Sequence, residues 1–296
     1  MPNFNLQYFN QRLSNTLIGT ILLILTYLFF SVMELTAKEL ALRFNPFLIV
    51  FARYLSQLIL LLIIFNKQFK THLKSNHKPL QILRGALLMI TTCFMFTGLA
   101  YLQFAENISI YMIGPVITTI LAILILKEKI SFTQILVVII GLIGALIIAS
   151  PNKGAFNYAV IFPFLAALCF AFFTISTKFL NTSDSNQTTL LFTAITGTIL
   201  SLPFIIYFWK WPNLYDTLLM FCLGFLATAG HFLFIEALKV INASFAAPFV
   251  YLTVLLAAFW GYILYNEVPS QNTFIGAFLI ITSGFIITQF RKKNLK

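Results

Sequence analysis

Charge is what this chain has least of. Only 9% of its 296 residues are Asp, Glu, Lys or Arg, against roughly 25% in a soluble domain. With 60% hydrophobic residues and 34 Phe, too little polar surface remains to clothe a water-soluble globule, so that class is excluded. Acid is scarcer still. There are eight Asp and Glu in all, and the two Asp, Asp184 and Asp216, fall in loops or at helix ends. Paired carboxylates and a His–Asp cluster at catalytic spacing are missing, which argues against a membrane-embedded transferase, the alternative from another class. A Gly-rich phosphate cradle is missing too, which argues against ATP-driven pumping by this chain. The three cysteines, Cys93, Cys169 and Cys222, sit in three different apolar runs. They suggest neither a metal site nor a disulfide framework, and read as small packing residues. Of the three His, His72 and His77 lie five apart in a Lys-rich loop and read as solvated loop residues rather than metal ligands. No metal and no cofactor is expected. A small-residue cleavage site is absent after the first apolar run, so that run reads as a retained helix.

What is present is apolar length. A run of roughly 20 apolar residues spans a bilayer. Ten such runs are found, at 17–38, 46–65, 80–102, 107–126, 131–149, 158–180, 188–209, 214–238, 243–265 and 273–290. In hydrocarbon the backbone must satisfy its own hydrogen bonds, so these are helices. The alternation of a membrane barrel is absent. A near absence of soluble mass also argues against a scaffolding role. The fold class expected is an all-α polytopic membrane protein with ten transmembrane helices.

The net charge of +11 raises nucleic acid as a partner, and its distribution removes it. With a cytoplasmic N-terminus and ten spans, fourteen Lys and Arg fall on the inner side. Lys38, Arg43, Lys153 and Lys210 fall outside, and Arg53 lies within a span. This positive-inside bias predicts both termini in the cytoplasm, with the basic loops lying beside anionic lipid of the bilayer.

The chain also repeats itself. Residues 112–128 (MIGPVITTILAILILKE) recur in outline at 251–267 (YLTVLLAAFWGYILYNE). Residues 27–40 align with 167–180, matching at Leu28, Phe30, Lys38 and Leu40. The two offsets, 139 and 140 residues, nearly agree and indicate an internal duplication. The boundaries expected are a cytoplasmic tail at 1–16, a first repeat of five helices at 17–150, and a linker at 151–155. A second repeat of five helices at 156–290 and a basic cytoplasmic tail at 291–296 follow. Duplicating an odd number of spans inserts the second copy upside down. The two five-helix repeats are therefore expected in inverted topology, an architecture of secondary transporters with a substrate site near the midplane.

Several motifs carry a family likeness. They are Lys38, Arg53, Arg84-Gly85, Gly114-Pro115, Leu126-Lys127-Glu128, Ala246-Ala247-Pro248-Phe249-Val250-Tyr251 and Asn266-Glu267-Val268-Pro269. In order and spacing the chain resembles the EamA family of the drug/metabolite transporter superfamily, ten-helix bacterial carriers, from about residue 17 to 290. Gly230-His231 and Trp211-Pro212 are similar to the subgroup of riboflavin and S-adenosylmethionine uptake carriers. Other relatives export amino acids or drugs. The resemblance implies a non-enzymatic carrier of a small-molecule metabolite in the bacterial inner membrane. It leaves the oligomeric state open, a homodimer included.

The candidate functional residues follow from cost and position. Ionisable groups inside a span are expensive and face a cavity or each other. Glu34 and Arg53 therefore read as a pair, either lining the cavity or locking two helices. Lys38 reads as a snorkelling residue at the interface or a cavity residue. His231 reads as a substrate ligand or a core histidine bonded to a neighbouring helix. Tyr111, Tyr251 and Trp260 offer flat faces for a planar ligand, or else pack. Pro115 and Pro248 free backbone carbonyls for a ligand, or else only kink their helices. Arg84 at the cytoplasmic edge of the third helix, Glu128, Lys178 and Glu267 are expected in structural or gating roles.

Overall fold

The computed structural model describes residues 6–101, 104–149, 158–265 and 271–293. Among these there is no β-strand. The helices are α1 (Leu6–Ala41), α2 (Pro46–Phe65), the short α3 (Phe69–His72), α4 (Lys78–Tyr101), α5 (Phe104–Tyr111), α6 (Gly114–Leu124) and α7 (Phe132–Ala149). The second half holds α8 (Ile161–Leu180), α9 (Asn186–Phe208), α10 (Leu214–Val240), α11 (Ala243–Ala246), α12 (Leu252–Tyr265) and α13 (Gln271–Lys293). Seven helices among the described residues are long and apolar enough to cross a membrane, and three further apolar helices are shorter.

Sequence chemistry sets the helix starts. Asn45 accepts from the Phe47 N–H, with Pro46 in the first turn of α2. Its counterpart 140 residues on, Ser185, accepts from the Thr188 N–H at the start of α9. Inside the spans most hydroxyls are turned back onto their own helix. Thr26, Thr91, Thr92, Thr174, Thr193 and Thr228 each donate to the carbonyl four residues before, at 2.7–2.9 Å. A threonine-rich chain is thereby made compatible with an apolar surround.

Three details depart from the sequence expectations. The first helix begins at Leu6, inside the polar segment read as a tail, because no Gly or Pro interrupts it before Leu17. Two of the apolar runs are broken rather than continuous. The run at 107–126 divides between α5 and α6, with Pro115 in the first turn of α6. The run at 243–265 passes from α11 through a 3-10 segment, Ala247–Tyr251, into α12, with Pro248 in that segment. Proline lacks the N–H that would continue the preceding helix, so both prolines open a new turn instead of kinking an unbroken helix. Arg84 is fully buried rather than placed at the helix edge. The linker at 151–155 lies outside the described residues.

Packing is closest where small residues meet, and it follows the repeat offset. A Cβ on Gly85 of α4 would stand 2.8 Å from Cβ of Thr196 on α9. A Cβ on Gly224 of α10, 139 residues later, would collide with Oγ of Ser56 on α2. Ser56 and Thr196 are themselves 140 apart. Counterpart helices also lie against one another. Along α2, Phe47 stacks on Phe204 and Phe208, Tyr54 fills the space beside Gly197, and Leu61 clusters with Leu190 and Leu191. Numbers rising in α2 fall in α9, so the two run antiparallel. The same holds for α7 and α13, where Gly141 faces Ser283 and Gly144 faces Ile280 and the Gly276 carbonyl. Small residues allow such close approach between membrane helices.

Gly224→Ala is expected to destabilise the protein by about 1–3 kcal/mol, because the new methyl would also meet the Gln57 backbone nitrogen at 2.6 Å. Gly114→Ala is the control, since its Cβ would meet nothing nearer than Ala167 at 3.6 Å. Thermal unfolding of the detergent-solubilised chain separates the two. Equal midpoints would show that the α2–α10 crossing is looser than described.

Candidate functional site

The side chains read from sequence as expensive converge on one cavity. It is lined by Phe30, Met33 and Glu34 of α1, Arg53 of α2, and Leu88, Thr91, Thr92, Met95 and Phe96 of α4. Ile108 and Tyr111 of α5, Phe170 of α8 and His231 of α10 complete it. Its volume, counted as space open to the centre of a water molecule, is about 100 Å³. Both halves of the chain contribute, and by matching positions. Phe30 and Phe170 are 140 residues apart, and Thr92 and His231 are 139 apart.

Arg53 is the centre of this arrangement and is 2% exposed. It donates from Nη1 to Oγ1 of Thr92 and from Nη2 to Nε2 of His231, both at 2.8 Å. One cation thus holds two counterpart residues, one from each half. Because arginine only donates, Nε2 of His231 accepts, which leaves the imidazole proton on Nδ1. The guanidinium also lies 4.7 Å from the Tyr54 ring centroid, a cation–π contact. Phe30 and Phe173 flank the His231 ring at 4.8 and 5.7 Å between centroids. Arg84 also lies over Phe173, 4.4 Å from that ring centroid, and donates to Oγ1 of Thr177 and of Thr193.

Among the described residues, ion pairs join Arg43 to Glu39 and Asp216, and Lys239 to Glu236. Arg53 and Glu34 share the cavity without making one. The partners of Arg53 are a threonine and a histidine, so the direct pair expected from sequence is replaced by a hydrogen-bonded fork and a carboxylate facing the same space.

The remaining candidates divide between packing and fastening. Tyr251 is buried and donates from its hydroxyl to the Val138 carbonyl at 3.0 Å, joining the 3-10 segment to α7. Trp260 donates from Nε1 to Oγ of Ser31 at 3.1 Å, tying α12 to α1. Neither these two nor Lys38, Pro115 and Pro248 line the cavity. Lys178 donates to the carbonyls of Leu238 and Ile241 at 2.6 Å each, satisfying the C-terminal end of α10. Glu128 accepts from the backbone N–H groups of Ala243 and Ser244 at 3.0 and 3.1 Å, and from the Ser244 hydroxyl. Lys127, at φ 53°, is the left-handed residue that ends α6 and swings Glu128 across to α11. Glu267 lies outside the described residues.

Two polar clusters that the sequence did not single out lie at the helix ends. In one, the Asp184 carboxylate in the α8–α9 loop accepts from the Ser75 hydroxyl, from the Asn76 N–H at 3.2 Å, and from Gln81 at 2.8 Å. In the other, Arg43 in the α1–α2 loop pairs with Asp216 at 3.0 Å, and its carbonyl accepts from Lys210 at 3.0 Å. The α1–α2 and α8–α9 loops are counterparts under the duplication, and each is fastened to residues at the start of a counterpart helix, α10 or α4.

Comparison with known proteins gives a consistent result. A model of the EamA-like transporter family matches twice, over residues 17–150 and 157–289. The chain is 30% identical over 286 residues to an S-adenosylmethionine uptake transporter of Rickettsia bellii (strain RML369-C), covering 97% of this chain and 98% of that protein. It is 28% identical over 286 residues to the protein of the same name in Rickettsia prowazekii (strain Madrid E), covering 97% of each. It is 29% identical over 215 residues to a riboflavin transporter of Vibrio cholerae serotype O1, covering 72% of each. One crystal structure shares the fold with a TM-score of 0.80 at 16% identity, covering 95% of this chain and 98% of that one.

Proposed function

The chain belongs to the EamA-like transporter family, and from that membership we propose that it is a secondary carrier working by alternating access. It is a multi-pass membrane protein whose role is metabolite transport rather than catalysis. In this reading the chain crosses the bacterial inner membrane ten times, with both termini in the cytoplasm. Its repeats, 17–150 and 156–290, stand in inverted topology on either side of the cavity. The substrate is a small polar metabolite of vitamin or nucleoside type, such as riboflavin or S-adenosylmethionine, taken up into the cell.

The observation that carries this reading is the fork at Arg53, which binds Thr92 and His231, two residues at matching places in the two halves. A site built on counterpart residues lies where the two repeats meet, and that is where an inverted-repeat carrier exposes its substrate to each side in turn. The antiparallel packing of α2 with α9 and of α7 with α13 supports the inversion, since a copy inserted in the same orientation would place counterpart helices parallel. The clusters at Asp184 and at Arg43 serve as the two closures, one at each end. The test is uptake by vesicles reconstituted with the full chain and given radiolabelled S-adenosylmethionine or riboflavin. Saturable accumulation of one of them in the lumen, absent from protein-free vesicles, is expected. Label that binds the protein and never reaches the lumen would contradict transport.

A further inference from the structure

The charges facing the cavity restrict what it can hold, and this step rests on the transport reading above. Arg53 is buried and carries a full positive charge, yet its hydrogen-bond partners are a neutral hydroxyl and a neutral imidazole nitrogen. No carboxylate lies within ion-pair distance of it among the described residues. It uses two of its five N–H donors in this fork. The imidazole proton of His231 sits on Nδ1, and no hydrogen-bond partner is found for that nitrogen. At Arg53 the cavity wall therefore offers hydrogen-bond donors to an anion. Glu34 faces the same space from α1, and no hydrogen bond or ion pair holds its carboxylate among the described residues. A second part of the cavity is an acceptor with no cation. Between and around them the walls are aromatic and thioether: Phe30, Phe170, Tyr111 and Met33.

An arginine charge and a carboxyl group that face one cavity, neither with an oppositely charged partner in contact, are costly while the site is empty. A ligand lowers that cost only if it brings both missing charges. We infer that this cavity selects a zwitterionic substrate, its carboxylate on Arg53, its cationic group (ammonium or sulfonium) beside Glu34, and its ring against Phe30, Phe170 and Tyr111. Guanidinium–carboxylate contact is the strong, directional form of charge-assisted hydrogen bond, and Arg53 has donors to spare for it. A neutral planar molecule would fill the aromatic part and leave both charges unpaired, the arrangement by which polar sites reject a ligand that lacks a group. The two transporter names among the relatives differ in this respect. S-adenosylmethionine carries a carboxylate, an ammonium and a sulfonium beside a purine, whereas riboflavin has a flat ring system with no carboxylate and no cation.

The experiment is competition for binding to the purified full chain in detergent. The four probes are S-adenosylmethionine, its decarboxylated analogue, S-adenosylhomocysteine, and riboflavin. The wild-type chain is expected to bind S-adenosylmethionine at least tenfold more tightly than the decarboxylated analogue and than riboflavin. Glu34→Gln should weaken S-adenosylmethionine at least tenfold. If the sulfonium is the group beside Glu34, S-adenosylhomocysteine, which lacks that charge, should be weakened less than threefold. If the ammonium is, both should be weakened alike. Either result supports the assignment of a cation to Glu34. Equal binding of S-adenosylmethionine and its decarboxylated analogue by the wild-type chain would overturn the proposal without recourse to a variant. Riboflavin binding as tightly as S-adenosylmethionine, no effect of Glu34→Gln on a correctly folded protein, or failure of all four to bind would overturn it as well. A correct binding pattern without vesicle uptake would leave the zwitterion site standing and remove the transport reading instead.

Discussion

Replacing Arg53 with methionine should reduce transport by about 100-fold or more while the protein still folds. Methionine keeps much of the volume and removes the charge, so no unpaired cation is left inside the protein. What is lost is the fork to Thr92 and His231 and, on the proposed reading, the donors offered to the substrate. Hydrogen bonds to charged groups contribute about 1.5–3 kcal/mol each, and every 1.4 kcal/mol is tenfold in an equilibrium. Losing two of them at the substrate therefore amounts to a hundredfold or more. Arg53→Lys is not expected to rescue, because one ammonium on a flexible stem cannot hold the planar two-pronged arrangement. Initial uptake rates, measured beside thermal unfolding of the same preparations, check both halves of this statement. Uptake within about threefold of wild type in the methionine variant would make Arg53 a packing residue.

The second large effect concerns the two clusters proposed as closures. Asp184→Ala removes the acceptor shared by Ser75, Asn76 and Gln81. Asp216→Ala removes the partner that Arg43 holds across from the α1–α2 loop to α10, leaving it paired with Glu39 of α1. Asp216 is 3% exposed, so the pair it makes with Arg43 is better shielded than an ordinary surface pair and its loss costs more. In an alternating carrier, weakening one closure populates the state open at that end. The two substitutions should therefore act in opposite directions. The reporter is a cysteine at Thr91 in a background without Cys93, Cys169 and Cys222, reacted with a membrane-impermeant thiol reagent from the side of Arg43. Asp216→Ala should raise the labelling rate about tenfold, as a shift of about 1.4 kcal/mol implies, and Asp184→Ala should lower it. The double variant should return toward the parent rate. Changes of the same sign for both would show that the clusters hold loops in place and do not govern access.

Much of this arrangement was legible in the sequence, and the residues show where legibility ended. Arg53, Glu34 and His231 were recognisable from cost alone, since an ionisable group in an apolar span needs a reason to be there. Their mutual arrangement was not. Sequence gives the depth of Arg53 along its helix but not the direction it faces, and the fork to Thr92 and His231 depends on how α2, α4 and α10 cross. The α2–α10 crossing is set by Gly224 against Ser56, and α4 is held on α9 by Gly85 against Thr196, pairs far apart in sequence. Phe30 and its counterpart Phe170 were visible as a repeat match, but among 34 Phe nothing set them apart as cavity residues. Tyr251 and Trp260 looked like ligand platforms and instead bond to Val138 and Ser31. Prolines 115 and 248 were read as freeing carbonyls for a ligand or kinking their helices; each instead stands in the first turn of a new helical segment. Glu128 and Lys178, expected in structural or gating roles, each satisfy a helix end in another part of the chain. Asp184 and Asp216, set aside for lack of a catalytic partner, hold the two clusters that fasten the ends.

The central claim is that one cavity, held between two inverted repeats, opens to only one side at a time. It is tested most directly by distances across both closures in the protein as it works. Spin labels at Leu42 and Leu214 would span the Arg43–Asp216 cluster, and labels at Lys74 and Thr182 would span the cluster around Asp184; all four positions are exposed. Measured in lipid with and without substrate, the two distances should move in opposition, one lengthening by several ångströms as the other shortens. Both distances staying short while substrate crosses the membrane, or both lengthening together, would contradict it.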